Sequence, residues 1–146
     1  MVCATLLPMS ECLFCRIVAG ELPAIRVYED DRVVAILDIF PATRGHALVI
    51  PRTHAGDLVD VDRDDLCACA MAAQLLAGRA FDGLSADGVT VMQSNGAAAW
   101  QTVFHYHVHV IPRYAGDPLV LPWTPSGAQA DPDELQSISL EYAVDG

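Results

Sequence analysis

Three of the five histidines in this chain lie at alternate positions of one short stretch, FHYHVHVIPR, residues 104–113. In a β-strand, successive side chains point to opposite faces, so the pattern predicts His105, His107 and His109 on one face, roughly 6.5–7 Å apart. Imidazoles at this spacing can share a phosphate-sized ligand, bind a metal or form a hydrogen-bond relay. The alternative is a half-buried strand whose polar face happens to carry histidine.

A second group of candidate ligands is the Cys-x-x-Cys motif of CLFC, formed by Cys12 and Cys15. In a reducing compartment this motif favours a metal ligand pair or a redox couple over a structural disulfide. Cys67 and Cys69 are two positions apart and cannot share one helical face, so we expect both to be small packing residues. Cys3 lies near the amino terminus.

The composition of the chain indicates its domain number and the classes of partner it can bind. The chain has 146 residues, of which 53% are hydrophobic and 18% charged, and this is typical of one globular domain. Its net charge of −11 argues against binding to nucleic acid or to an anionic membrane, since both need a basic surface. The sequence shows neither a leader segment nor a long apolar run, so we expect a cytoplasmic protein.

The elements that must position these residues follow from β-branched runs and turn signals. Helical spacing after Asp62 predicts a central helix, and Asp131 followed by Pro132 predicts a second, carboxy-terminal helix. The proline- and glycine-rich stretch GDPLVLPWTPSG predicts irregular structure. The strands are expected in IRVYED, RVVAILDI, HALVIP, VTVMQS and FHYHVHVIP, which gives an α+β fold with a mostly antiparallel sheet.

Taken together, these motifs resemble the histidine triad (HIT) superfamily of nucleotide hydrolases and transferases. HYHVHVI matches the family signature, CLFCRIVAGELPAIRVYEDDRVVAILDIFPATRGHALVIPRTH is similar to its amino-terminal half, and QTVFHYHVHVIPR to its active-site strand. The resemblance implies a HIT-like α+β fold, a roughly five-stranded antiparallel sheet with one long central helix and a shorter C-terminal helix. We expect a flexible N-terminus at 1–11, a HIT domain at 12–114 and a tail with a short helix at 115–146.

The resemblance also implies a catalytic role for the histidine run. A neutral imidazole is a competent nucleophile near neutral pH, and the family match gives this role to His107, which would attack the α-phosphate and form a nucleotidyl-histidine. His109 would fix the tautomer of His107 or shuttle the proton. Gln101 and Thr102 would donate hydrogen bonds to phosphoryl oxygens or to the leaving-group atom. An outward-facing strand residue is the plainer interpretation of Thr102.

Nucleoside recognition is implied for Asp38 and for five apolar residues. A lone aspartate at the end of a strand is usually a turn former, but the family's aspartate at this position accepts hydrogen bonds from ribose hydroxyls. Without the resemblance, the apolar positions would all be interpreted as core. They match the family's base pocket: Leu13, Phe14, Ile17, Ile36 and Ile39.

The chain departs from the family pattern beside the expected site. Ser94 replaces an amide that is common in relatives, and Trp100 replaces a small residue that is usually glycine. Asn95 could supply the missing amide, although SNG favours a turn. Because tryptophan adds bulk at the entrance, the choice of substrate stays open while the fold expectation does not change.

A zinc site is implied by the same resemblance. Zinc takes four thiolate or imidazole ligands, and Cys12 and Cys15 supply two. Bacterial branches of the superfamily complete the site with the histidine of PRTH and the first histidine of the run, here His54 and His105. Two small core cysteines beside a helix are the alternative.

The expected activity is hydrolysis of a phosphoramidate, an adenylate-type compound or a mixed anhydride, with release of a purine nucleoside monophosphate of the AMP or GMP type. Dinucleoside polyphosphate hydrolysis and a non-catalytic nucleotide-binding sensor or adaptor are the alternatives. The resemblance further implies a homodimer formed through the central helix and a sheet edge. The alanine-rich face of residues 68–80 is compatible with this, because small side chains allow close helix approach.

Overall fold

The computed structural model describes residues 11–120 and 129–142. Within these residues, five strands form one antiparallel sheet, as the sequence predicts: β1 (Arg26–Glu29), β2 (Val33–Leu37), β3 (Ala47–Pro51), β4 (Gly88–Met92) and β5 (Val108–Arg113). Their order in the sheet is β1-β2-β3-β5-β4. The helices are α1 (Leu13–Val18), α2 (Arg63–Leu84) and α3 (Pro132–Glu141), with one 3-10 turn at Ala97–Ala99.

The sheet divides the core into two layers. Alternate residues of β2 and β3, such as Val33 and Val49, face α2 together with Val108 and Val110 of β5. The intervening residues, including Ile36 and Leu48, face α1 on the other side. Because Val108 and Val110 point towards α2, the alternation along β5 turns His109 towards the α1 side. Strands covered on both faces are expected to be apolar throughout, as β3 is.

Side-chain caps fix the turns and helix starts that the sequence predicts. Asp30 Oδ1 accepts the backbone N–H groups of Arg32 and Val33, and this closes the β1–β2 hairpin. Asp62 caps α2 by accepting from the N–H of Asp64. At the start of α3, Asp131 likewise accepts from the N–H groups of Asp133 and Glu134.

The two cysteines of α2 have different surroundings, so the prediction for Cys67 is wrong. Cys69 is fully buried against the sheet, whereas Cys67 is exposed. Two positions on a helix are separated by roughly 200°, and only one of the two can face the core. Cys69 is therefore the packing residue.

Strand β5 is shorter than the sequence predicts, and this changes the setting of the histidines. It begins at Val108, so of the three histidines only His109 belongs to the ladder. Pairing with β3 ends at Val108, because the preceding N–H of Tyr106 donates to the carbonyl of Ala55 in a loop instead. The chain before Val108 is thus free to turn His105 and His107 towards different partners.

Helix α1 was not foreseen, because six residues are too few to show helical periodicity. Residues 116–120 contain neither helix nor strand, as predicted for the start of GDPLVLPWTPSG. The rest of that stretch up to residue 127, with Trp123, lies outside the described residues, as does Cys3. Within the described ranges, no helix has the length and apolar character needed to cross a membrane.

Candidate functional site

A cavity of about 470 Å³ opens between α1, the ends of β2 and β3, and the segment that precedes β5. All five apolar residues expected in the base pocket line it, with Leu22, Pro23, Ala24, Leu37, Phe40, Leu48 and Val103. Its polar side chains are Asp38, Thr102, His107 and His109. A mostly apolar cleft with a few convergent polar groups is the usual form of a small-molecule site.

The ring of His107 is held in one tautomer. Its Nδ1 lies 2.7 Å from the carbonyl oxygen of His105, and a carbonyl can only accept, so Nδ1 carries the hydrogen and Nε2 carries the lone pair. The edge of Phe14 packs against the ring at 5.0 Å between centroids. Burial lowers the pKa of His107 and favours the neutral imidazole. The tautomer is therefore fixed by a backbone carbonyl, and the proposed tautomer-fixing role of His109 is corrected.

His109 is hydrogen-bonded to His46, a residue that the sequence analysis did not identify. The N–H of Ala42 donates to His46 Nδ1 at 3.1 Å, so His46 carries its hydrogen on Nε2 and donates it to His109 Nδ1 at 2.9 Å. His109 must then present Nε2–H on its other side. Burial and the neighbouring His107 and His46 lower the pKa of His109 to about 4, so it is a neutral donor.

His46 could have been found from the sequence by a different criterion. It immediately precedes the apolar run of β3, whose Leu48 pairs with His109 across the sheet. A polar residue that opens a strand beside the histidine run is a candidate for contact with that run. His46 lies outside the 104–113 stretch, so the spacing of that stretch gives no signal for it.

Asp38 forms a turn and also lines the cavity. Its Oδ1 accepts the N–H of Phe40 at 2.8 Å, so it is a turn former. Its Oδ2 lies 3.7 Å from His46 Nδ1, too far for a hydrogen bond. The carboxylate therefore lines the cavity with one oxygen engaged in the turn and acceptor capacity left on the other.

Gln101 and Thr102 are adjacent in sequence and lie in different environments. The Gln101 side chain is buried, accepts the N–H of Gly96 at 2.7 Å and donates to the carbonyl of Gly56 at 2.7 Å. These bonds join the 96–103 loop to the loop after β3. In this arrangement Thr102 lines the cavity, whereas Gln101 holds the loop rather than donating to a ligand.

Ser94 and Asn95, which the sequence places beside the expected nucleotide site, do not line the cavity. Asn95 Oδ1 accepts the N–H of Leu58 at 2.8 Å, and its Nδ2 donates to Gln93. The SNG segment is thus a loop connection, as its turn signal favoured. Trp100 is 66% exposed, and its φ of 71° places its backbone in the left-handed conformation that glycine adopts most readily.

The four expected metal ligands converge on one point. The donor atoms of Cys12, Cys15, His54 and His105 all lie within 4.8 Å of one another. His105 Nδ1 is 3.4 Å from Cys12 Sγ, 3.5 Å from Cys15 Sγ and 3.3 Å from His54 Nδ1, and Cys15 Sγ is 3.3 Å from His54 Nδ1. A tetrahedral zinc with two sulfur and two nitrogen ligands leaves its ligand atoms roughly 3.3–3.8 Å apart. The donor set therefore fits zinc.

The surroundings of this cluster support cation binding. His105 Nε2 donates to the carbonyl of Pro51 at 2.8 Å, so its Nδ1 carries the lone pair that faces the two thiols. Burial, together with Cys12, raises the pKa of Cys15 to about 12, so a thiolate there needs a nearby cation. Both ring nitrogens of His105 are occupied by the cluster and by Pro51, and its side chain does not line the cavity.

Comparison with known proteins identifies the family of this chain. Residues 19–116 match the family model described as HIT domain. The chain belongs to the HIT domain family. It is 41% identical to Protein hit of Bacillus subtilis over 134 residues, which cover 90% of this chain and 92% of that protein.

Two further relatives of the HIT chain bear on its chemistry. A Zn-bound histidine triad family protein from Mycobacterium smegmatis is 48% identical, with a TM-score of 0.74 over 82% of this chain and 86% of that one. An Arabidopsis thaliana protein named Adenylylsulfatase HINT3 is 36% identical over 74% of this chain and 55% of its own length. The family thus includes at least one hydrolase and one zinc-bound member.

Proposed function

We propose that this HIT protein is a nucleotide-binding hydrolase that releases a nucleoside monophosphate from a phosphoramidate, an adenylate-type compound or a mixed anhydride. The observation that carries the proposal is the fixed tautomer of His107 at the polar end of an apolar cavity. A neutral imidazole whose Nε2 lone pair is kept available is the form needed to attack phosphorus.

The reaction would proceed in two balanced steps. His107 Nε2 attacks the α-phosphorus, the bond from phosphorus to the leaving group breaks, and the leaving group takes that electron pair. The Nδ1–H of the resulting imidazolium stays on the carbonyl of His105, which stabilises the positive charge. Water then attacks phosphorus and gives up one proton, which replaces the proton passed to the leaving group; the bond to Nε2 breaks with its electron pair returning to nitrogen, and neutral His107 is restored as the monophosphate leaves.

His109 and Thr102 would support both steps without forming bonds to phosphorus. The Nε2–H that the hydrogen bond from His46 assigns to His109 can donate to a phosphoryl oxygen or pass a proton to the leaving group. Thr102 lines the cavity and offers a hydroxyl donor. His105 contributes through its backbone carbonyl, and its ring lies with Cys12, Cys15 and His54.

Asp38 and the apolar walls would bind the nucleoside. The acceptor capacity left on the Asp38 carboxylate suits a ribose hydroxyl, and the walls formed by Phe14, Ile17 and Ile36 suit a purine base. A purine nucleotide of the AMP or GMP type is therefore the proposed ligand. The relative named adenylylsulfatase favours a mixed anhydride as one substrate class.

Structural zinc held by Cys12, Cys15, His54 and His105 is part of the proposal. The metal would supply folding energy by joining α1 to the loop after β3 and to the start of the histidine run. A cytoplasmic location, also proposed, would keep the thiols reduced for this purpose.

We also propose a homodimer that covers α2 and the edge strand β4. Along this edge an open groove is lined by small and apolar residues, including Ala70, Ala73, Ala77 and Val91. Val91 is 53% exposed and the nearby Met71 of α2 is 70% exposed. Light scattering would show twice the chain mass for a dimer, and a monomer at all concentrations would contradict this part of the proposal.

The activity is tested by turnover of an AMP phosphoramidate with an amine leaving group beside a diadenosine polyphosphate. We expect steady turnover of the phosphoramidate and trapping of an adenylylated chain after rapid quenching. Faster turnover of the diadenosine polyphosphate would favour the second enzymatic candidate. Tight AMP binding with turnover of neither would favour the non-catalytic sensor.

A further inference from the structure

One large apolar side chain on the cavity wall is almost completely exposed. Phe40 follows Asp38 by two positions, lines the cavity and is 85% exposed. The sequence analysis gave it no role. An exposed phenylalanine on the rim of an apolar site offers surface that a bound ligand can cover.

The backbone of Phe40 is held in place from both sides. Its N–H donates to Asp38 Oδ1 at 2.8 Å. Pro41 follows, and a residue before proline is restricted to extended conformations. The ring is therefore presented at a defined point of the rim, and little backbone ordering has to accompany ligand binding.

The same turn determines which part of the ligand the ring can meet. Asp38 uses one carboxylate oxygen to hold Phe40, and the proposed function gives the remaining acceptor capacity of that carboxylate to the ribose. The groups proposed to act on phosphate and leaving group are Thr102, His107 and His109. Phe40 is thus tied to the carboxylate proposed for the sugar, and the nucleoside is the part of the ligand nearest to it.

We propose that Phe40 is a specificity-determining residue whose ring covers the outward face of the bound nucleoside base. The proposal rests on the proposed nucleotide-binding function. It names the base as the selected group, because a flat aromatic base can stack on or pack against the ring whereas ribose alone cannot. Purine nucleotides, with the larger ring system, gain most from this contact.

The test is a set of affinity measurements on the full chain with its metal retained. Calorimetry gives Kd for AMP, CMP and ribose 5-phosphate in the wild type, Phe40→Ala and Phe40→Tyr. Val59→Ala is the matched control, since Val59 is 88% exposed and does not line the cavity. Melting temperatures check that each variant is folded.

We expect Phe40→Ala to weaken AMP binding roughly 5- to 100-fold, the range for loss of one base–aromatic contact. CMP should lose less than AMP, and ribose 5-phosphate should stay within about twofold of the wild type, because it has no base to lose the contact. Phe40→Tyr should retain AMP affinity, and Val59→Ala should leave all three affinities unchanged.

Two results would overturn the inference while leaving the proposed function intact. Unchanged AMP affinity in Phe40→Ala would show that the ring does not contact the base. Equal losses for AMP and ribose 5-phosphate would show that the substitution disturbs the Asp38 turn instead. If the wild type bound no nucleotide and turned over no substrate, the proposed function would fail and the inference with it.

Discussion

The histidines at the two ends of the 105–109 run have different chemical surroundings. We call the group of Cys12, Cys15, His54 and His105, proposed to hold zinc, the metal cluster, and the group of Asp38, His46, His107 and His109, at or beside the cavity proposed for the nucleotide, the phosphate end. In the metal cluster, the imidazoles face thiols and the donor atoms converge on one point. At the phosphate end, the imidazoles face a backbone carbonyl, another imidazole and a cavity.

This comparison shows that the partner of each ring nitrogen sets the role of a histidine. His105 Nε2 donates to Pro51, so its Nδ1 carries the lone pair proposed to bind zinc, whereas His107 Nδ1 donates to the carbonyl of His105, so its Nε2 carries the lone pair proposed to attack phosphorus. The rings are otherwise alike and two positions apart. Identical residues in one motif therefore have different free nitrogens and different surroundings.

The two regions are also in physical contact. The carbonyl of His105 orients His107, and the ring of Phe14 packs against both imidazoles, with centroids 6.0 and 5.0 Å away. Phe14 belongs to α1, which begins directly after Cys12. A change in the metal cluster should therefore alter the position of Phe14 in the cavity wall.

The largest expected effect is on turnover in His107→Ala. Loss of the nucleophile should lower kcat at least roughly 10³-fold, while AMP affinity stays within about tenfold because binding rests on Asp38 and the apolar walls. Single-turnover assays and calorimetry give the two quantities. Retained turnover would show that another residue is the nucleophile. The proposed difference in role between His105 and His107 would then lose its support.

The next effect is on stability in the double variant Cys12→Ser/Cys15→Ser. We expect one zinc per chain in the wild type purified without chelator, none in the variant, and a fall in Tm of several degrees, since metal binding energy is folding energy. Cys67→Ser is the control, because Cys67 is exposed and outside the cluster. Absence of metal from the wild type, with equal melting of all three proteins, would make the cysteines packing residues.

A smaller effect is expected on ribose recognition in Asp38→Ala. The variant should lose roughly tenfold in affinity for AMP and little for 2′,3′-dideoxy-AMP, because only the ribonucleotide has hydroxyl groups to lose their acceptor. Competition binding measures both. Equal losses for the two ligands would leave Asp38 with its turn role alone.

The smallest effect is a pH dependence of stability at the phosphate end. The pKa of His109 falls from 6.5 to about 4 on folding, so between these pH values the unfolded chain binds the extra proton. The stability that neutral His109 contributes is present above pH 6.5 and is lost as the pH falls towards 4. Denaturant unfolding of His109→Gln with metal content monitored should show a shallower decline than the wild type. Parallel declines would contradict this assignment.

Much of the fold could be predicted from local signals. The Asp30 turn, the Asp62 and Asp131 caps and the apolar runs of β2 and β3 each act within a few residues, so the sequence contains all the information they need. The extent of β5 could not be predicted in this way. Its start depends on where β3 ends and on a hydrogen bond from Tyr106 to Ala55, which is distant in sequence.

The candidate site, like the fold, was only partly predictable from local sequence. Spacing and family resemblance identified the residues of the metal cluster and most of the cavity walls. They did not identify His46 or Phe40, and they gave Gln101 and Asn95 ligand roles that the loop contacts do not support. The side chains of His46, Gln101 and Asn95 have polar partners on other segments of the chain, which the local sequence does not reveal.

The sequence by itself therefore determined the family, the order of the strands and of the two longer helices, and the set of histidines and cysteines available for chemistry, because these depend on residue type and local spacing. The tertiary structure decided which ring nitrogen of each histidine carries a lone pair. Whether a ring nitrogen carries a hydrogen or a lone pair depends on the donor or acceptor opposite it. For His105 and His109, those partners are Pro51 and His46, both on or beside β3 and more than fifty residues away in the chain.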